Sequence, residues 1–234
     1  MIEYIFTGIV AAIGIYIIIC FRPARTAEIA DNLYVVNSVF VNFYAYNSGG
    51  DIMLFDSGIS AALARRSLQK LGLSPDKVTR VFLTHTDFDH KGGLSAFPNA
   101  EVFISDAEEQ MINGQTTRRG IMRNRLSRNY KTLKDGEIVK HGEVSVKLIL
   151  TPGHTPGSSS YLINDRILVT GDLLRLARNG SIKPFLRLMN KNYKQDAKTV
   201  EAMRGTILKA AYVLTGHTGV RTKDATERSK DYAG

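Results

Sequence analysis

The sequence predicts an α+β fold, a two-sheet core with helices on its outside, preceded by one N-terminal transmembrane helix. Three observations carry this expectation. Apolar, β-branched runs of strand length recur from Leu33 to Thr215. Helix-period stretches with start and stop signals lie between them. Tyr4 to Phe21 is a run of 18 residues without a charge.

As a helix the N-terminal run would rise roughly 27 Å at about 1.5 Å per residue, close to the ~30 Å hydrocarbon core of a bilayer. Eight isoleucines between Ile2 and Ile19 make it apolar on every side. A cleaved signal peptide would begin with basic residues and end on small ones, whereas this segment begins Met-Ile-Glu and ends Ile-Cys-Phe-Arg. It reads as a retained anchor over residues 1–25, with residues 4–21 in the membrane. Arg22 and Arg25 follow it and Glu3 precedes it, so the positive-inside bias predicts a single-pass protein with its catalytic domain in the cytoplasm. That domain is expected over residues 26–222, with residues 223–234 as a tail.

Strands are expected at Leu33–Val36, Val39–Tyr46, Ile52–Phe55, Val78–Thr84 and Val102–Ser105, then at Val144–Leu150, Ser159–Ile163, Ile167–Thr170 and Tyr212–Thr215. Asn47-Ser48-Gly49-Gly50 predicts a hairpin between two of them. Ser60 is expected to cap a helix ending at Gly72, and Asp106 a short one. Asp196 is expected to cap a helix running to about Lys209, with Val200, Met203 and Ile207 facing a core.

Hydrophobic residues make up 44% of the chain and charged residues 23%, the balance of a folded domain. The single cysteine, Cys20, excludes an internal disulfide and a thiolate zinc site. Five histidines exist: His85, His90, His141, His154 and His217. The net charge of +9 is concentrated: residues 112–134 hold seven bases and residues 173–195 hold six, with no acid in either. Such segments either keep a face solvated or attract anionic partners. Arg123, Arg125 and Arg128 are the expected contacts for an anionic substrate. Nucleic acid is a less favoured partner.

Potential ligands cluster after strands. Val81-Phe82-Leu83-Thr84 leads into His85-Thr86-Asp87-Phe88-Asp89-His90, then Lys91-Gly92-Gly93. Thr151-Pro152-Gly153-His154-Thr155-Pro156-Gly157 follows a second strand, Thr170-Gly171-Asp172 a third, and Thr215-Gly216-His217 a fourth. His141 belongs to no such motif and reads as a surface residue.

This ordered set resembles the metallo-β-lactamase superfamily, whose signature is His-x-His-x-Asp-His followed by single His, Asp and His motifs. The resemblance spans about residues 30–220 and implies a four-layer αββα sandwich. It further implies two divalent metal ions, zinc foremost, with manganese and iron as alternatives. His85, Asp87 and His154 would hold the first ion. Asp89, His90 and His217 would hold the second, Asp172 would bridge them, and Asp56 would support the loop from behind. Asp87 stands where the family usually has histidine; a carboxylate is a harder ligand and shifts preference towards manganese or iron.

The implied activity is metal-dependent hydrolysis. A metal-bound hydroxide would attack an ester, thioester, lactone or phosphodiester, with Asp89 holding the nucleophile and shuttling its proton. The charge segments point to a small anionic substrate. The alternatives are an iron-containing, dioxygenase-like oxidoreductase of the same fold and a catalytically silent membrane-bound binding protein. No serine elbow motif offers a nucleophile instead.

Overall fold

The structure is a computed structural model that describes residues 20–118 and 123–223. Residues 1–19 of the expected anchor and most of the expected tail lie outside the described residues. Among the described residues, no helix is long and apolar enough to cross a membrane.

Two sheets form the core. The first has seven strands in chain order: β1 (Ala27–Ala30), β2 (Leu33–Ser38), β3 (Val41–Ser48), β4 (Asp51–Phe55), β5 (Val78–Phe82), β6 (Glu101–Ser105) and β7 (Lys131–Leu133). It is antiparallel as far as β4 and parallel beyond. The second comprises β8 (Ile138–His141), β9 (Val144–Leu150), β10 (Ser159–Ile163), β11 (Ile167–Gly171), β14 (Tyr212–Thr215) and β15 (Gly219–Thr222), in the order β15-β14-β11-β10-β9-β8. A small hairpin of β12 (Leu174–Leu176) and β13 (Ile182–Pro184) lies apart.

The apolar residues divide into layers. Val35, Tyr44, Phe55 and Phe82 of the first sheet meet Val146, Leu148, Tyr161 and Leu214 of the second in one buried cluster. The opposite face of the first sheet packs on Ala64 and Leu68 of helix α1 (Ala61–Lys70). The outer face of the second packs on Val200 of α4 (Tyr193–Ala202) and Ile207 of α5 (Arg204–Lys209). Full burial of each Val, Leu, Ile or Phe side chain among them is worth about 1.5–3 kcal/mol, so the expected αββα arrangement follows from which faces are apolar. Two buried tyrosines join the sheets. Tyr44 donates its hydroxyl hydrogen to the Thr215 carbonyl at 2.7 Å, and Tyr161 to that of Leu83 at 2.9 Å.

The expected hairpin is present. Ser48 pairs with Asp51, leaving Gly49 and Gly50 at φ of 61° and 99° as its two-residue loop. Both angles lie where side chains with a Cβ are strained. Two expected caps are displaced. Ser105, not Asp106, accepts a hydrogen bond from the Glu108 amide and starts the 3-10 turn Asp106–Glu108, which leads into the short helix α3 (Glu109–Ile112). Asn192, not Asp196, caps α4 by accepting from the Gln195 amide at 3.0 Å. Asp196 lies inside the first turn and is fully buried, because its carboxylate accepts from the Phe185 amide and the Asn190 side chain instead. The helix after it also breaks into α4 and α5 at Met203. Strand periodicity had no purchase on β1, β7, β8, β12, β13 and β15, which are short and mostly half exposed.

Candidate metal centre

Strand direction assembles the site. β4 and β5 are parallel in the first sheet. In the second, β9 and β11 are each antiparallel to β10, and β11 is parallel to β14, so all three run the same way. Their C-terminal ends deliver Asp56, His85, His154, Asp172 and His217 to one edge. The turn after β5 enters the short helix α2 (Phe88–Lys91), which places Asp89 and His90 beside them.

Each of the four histidines is held by its Nδ1. That of His90 donates to Asp56 at 2.7 Å, that of His217 to the Phe40 carbonyl at 2.7 Å, that of His85 to the Thr84 hydroxyl at 3.0 Å, and that of His154 to Asn190 at 3.2 Å. Every Nε2 therefore faces inward. Those of His90, His154 and His217 lie 3.4, 3.4 and 3.3 Å from Asp172 oxygens. Nε2 of His85 and of His90 and Oδ1 of Asp172 are buried without a hydrogen-bond partner among the described residues. Such groups are costly to bury unless something coordinates them. A ring whose outer nitrogen is fixed by a hydrogen bond is in the state that ligates metal.

Among the described residues, three groups of potential ligand atoms come together within 4.8 Å: His85, Asp87 and His154; His85, His90 and Asp172; and Asp89, His90 and His217. The donors are nitrogen and oxygen only, which suits zinc, manganese and iron. The residues present therefore fit a pair of divalent ions. The fields agree. Burial disfavours the charged form of Asp172, but His217, His90 and His154 outweigh it and hold the carboxyl well below its ordinary range. Burial also opposes charge on His217, yet Asp172 and Asp89 push its pKa up to about 9. The cluster attracts positive charge to its centre, where a divalent cation can replace protons.

Asp56 accepts from the Thr84 amide at 2.8 Å, from its hydroxyl at 2.9 Å and from His90, so one buried carboxylate ties β4, β5 and the ligand loop together. Gly216 leaves room: a Cβ there would stand 2.4 Å from Asp172 Oδ1. Asp87 and Asp89 are the ligand candidates that reach the cleft, with side chains 16% and 21% exposed against 4% or less for the others. Asp87 also has protein partners. Arg118 contacts both its oxygens and Nε2 of His154, and Asn124 donates to it at 2.7 Å. Burial would raise the Asp87 pKa, but His154, His85 and Arg118 hold it far below the carboxylate range.

Residues the motifs did not reveal complete the frame. Buried Glu108 accepts from the Thr86 amide and hydroxyl with one oxygen and from the Thr155 hydroxyl, at 2.6 Å, with the other. It joins the His85 loop to the His154 loop. Asp196 accepts from Asn190 at 3.0 Å, and Asn190 in turn accepts from His154. No spacing announces these groups, because each acts across long stretches of chain. His141 lies away from the centre as expected, but it is half-buried, bridging Asp51 and Arg80. The basic segments split. Arg118, Arg123 and Lys191 line a cleft of ≈ 600 Å³ beside Asp87 and Asp89. Arg128 turns away and donates to the carbonyls of Leu94, Phe97, Pro98 and Ala100, so it is a structural tie and not a substrate contact. Arg119 lies outside the described residues.

The fold and this cluster define a metallo-hydrolase scaffold. The family model of the metallo-beta-lactamase superfamily matches residues 34–217, and the chain belongs to that superfamily. Among its relatives is the Bacillus subtilis (strain 168) protein named "Probable metallo-hydrolase YqgX", 26% identical over 208 residues that cover 84% of this chain and 93% of that one. An N-acyl homoserine lactonase of Bacillus cereus is 34% identical over 99 residues, 41% of this chain and 37% of that one. Among solved structures, a B3 metallo-beta-lactamase with an active-site glutamic acid superposes with a TM-score of 0.65 at 22% identity, covering 92% of this chain and 90% of that one. The class B3 di-zinc metallo-beta-lactamase LRA-12 from an Alaskan soil metagenome gives 0.65 at 20% identity, covering 91% and 83%. At these identities the superpositions speak for the fold alone.

Proposed function

We propose that this protein hydrolyses an ester, thioester, lactone or phosphodiester of a small anionic substrate at the histidine–aspartate cluster. The observation that carries the reading is the convergence of the Nε2 atoms of His90, His154 and His217 on the buried carboxylate of Asp172, with His85 beside them and all four rings fixed from behind through Nδ1. His85, Asp87 and His154 would hold one divalent ion and Asp89, His90 and His217 a second, with Asp172 between them. Ions bound there supply an activated water and polarise the attacked oxygen. The names of the hydrolase and lactonase relatives support this class of chemistry.

The protein's own groups account for the rest. Asp89 opens to the cleft, and its carboxylate can accept a proton from the attacking water and return it to the leaving oxygen as the scissile bond breaks. Asp56, Asn190, Thr84 and the Phe40 carbonyl keep the four rings from turning. Arg123 and Lys91 at the mouth suit an anionic substrate.

The apolar run that begins at Tyr4 supports single-pass membrane attachment by the part of it that precedes Phe21, which packs in the domain, and Arg22 and Arg25 support a cytoplasmic catalytic domain. Elemental analysis of the purified chain, joined to a panel of the four substrate types, tests the activity. Two metals per chain with turnover of at least one type is the expected result. Full metal content without turnover of any type would leave a binding protein. Iron with oxygen consumption would mark an oxidoreductase.

A further inference from the structure

The space above Asp89 and Asp172 has two unlike ends. Its inner chamber, ≈ 380 Å³, is walled by Phe21, Phe40, Phe185 and Met189. These rings stand against the ligands themselves: Phe21 stacks on His217 with centroids 4.1 Å apart, and Phe185 meets His154 edge-on at 5.4 Å. Phe21 also stacks on Phe40 at 6.3 Å and on Phe185 at 6.1 Å, so the wall is continuous. The outer cleft, ≈ 600 Å³, shares Asp87, Phe88, Asp89, Arg118 and Met189 with that chamber. Both volumes lie in the range of small-ligand sites, about 300–1,000 Å³.

The outer cleft carries the cations. Lys91 and Arg123 line it, and neither has an ion-pair partner among the described residues. Arg118, by contrast, is spent on Asp87, and Lys191 donates to the Thr117 carbonyl at 2.7 Å. Phe88 and Leu188 stand at the same mouth 67% and 74% exposed. Exposed apolar side chains beside unpaired cations, opening into an aromatic chamber, are complementary to a ligand that is itself two-ended.

We infer that the substrate is a single-chain amphiphile. Its apolar chain lies on Phe21, Phe40, Phe185 and Met189, and its anionic group faces Lys91 and Arg123. Only the position of the scissile bond, over Asp89 and Asp172, rests on the hydrolase reading above. An acyl chain gains by leaving water for the rings, at about 0.8 kcal/mol per fully buried methylene. The anionic end gains direction from the two cations and loses it in salt.

The test is calorimetric titration of the full-length, zinc-loaded chain with ethylphosphonate, octylphosphonate and neutral octanol. The phosphonate head is common to the first two, so their difference reports the chain alone. Octylphosphonate is expected to bind at least about tenfold tighter than ethylphosphonate, and tighter than octanol by a margin that shrinks with salt. The double variant Phe88→Ser, Met189→Ser, at two side chains that line the chamber without being fully buried, should reduce the chain-length gain. Arg123→Gln with Lys91→Gln should remove the salt-dependent part and leave octanol binding unchanged. Equal affinity for the two phosphonates would overturn the apolar end. Equal loss of octylphosphonate and octanol in the charge variant would overturn the anionic end. Turnover is scored separately: a chain with both preferences that hydrolyses nothing retains this inference and refutes the hydrolase reading.

Discussion

The guanidinium of Arg118 grips the carboxylate of Asp87, with Nε 2.9 Å from Oδ2, while its Nη2 also contacts Nε2 of His154. Arg118 therefore presents positive charge to two of the three residues expected to hold the first metal ion.

Three outcomes follow for metal content. Asp87→Ala is expected to lower the stoichiometry from two ions per chain towards one and to abolish most activity. Asp87→His should keep two and shift preference towards zinc. Arg118→Gln removes a competing cation and should tighten the weaker site, read as a lower dissociation constant in a zinc titration. Two metals and full activity in Asp87→Ala would make Asp87 a bystander. Weaker zinc binding in Arg118→Gln would make Arg118 a support for the site and not a competitor.

Glu108 is expected to be a positioning residue. Its two oxygens receive three hydrogen bonds from the loops that bear His85 and His154. Glu108→Ala leaves those buried donors unsatisfied and should cost roughly 1–3 kcal/mol or more in urea unfolding. Metal affinity should fall with it, and Glu108→Gln should restore part of both. Unchanged zinc affinity in the alanine variant would reduce Glu108 to a stability role.

Asp196 gives a pH signature. Burial raises its pKa to about 7, against the opposing hydrogen bonds from the Phe185 amide and Asn190. The unfolded-state value is near 3.8, so the folded form binds the proton more tightly. The associated stability is fully present below pH 3.8 and is lost as pH rises through about 7. Asp196→Asn cannot ionise. Its unfolding midpoint should therefore gain on the native chain steadily between pH 4 and 7 and hold that gain above. A difference that does not vary with pH would refute the assignment.

The N-terminal boundary can be tested by deletion. Phe21 packs on Phe40 and Phe185, the Arg22 amide donates to the His217 carbonyl at 2.7 Å, and the Ala24 amide donates to Asn42 at 2.7 Å. Removal of residues 1–19 keeps these contacts and should give a folded, metal-binding chain that no longer sediments with membranes. Removal of residues 1–25 should bind metal more weakly, because the His217 carbonyl and the aromatic wall lose their partners. Equal sedimentation of the full and shortened chains would refute the anchor.

The candidate site residues were legible as a group because metal chemistry restricts residue type. Four of five histidines and the aspartates Asp56, Asp87, Asp89 and Asp172 fall directly after apolar strands, and the structure brings all of them to one edge. The larger strands were legible for a similar reason, since a buried strand must be apolar along its length. Short edge strands such as β1 and β7 face solvent on one side and carry no such constraint.

Capping was not legible at Asp196, where local pattern and tertiary demand conflict. An aspartate near a helix start fits a cap, but the Phe185 amide and Asn190 needed a buried acceptor and took its side chain. The sequence by itself determined which residues can bind metal, in what order, and that they stand at strand ends, because these depend on side-chain chemistry and backbone periodicity. Only the tertiary structure decided what holds them: Glu108 across two loops, Asn190 and Asp196 behind His154, Arg118 on Asp87, and Phe21 against His217. Those partners lie up to 196 residues from the ring they touch, Phe21 to His217, and no local rule of hydrogen bonding or packing reaches that far along a chain.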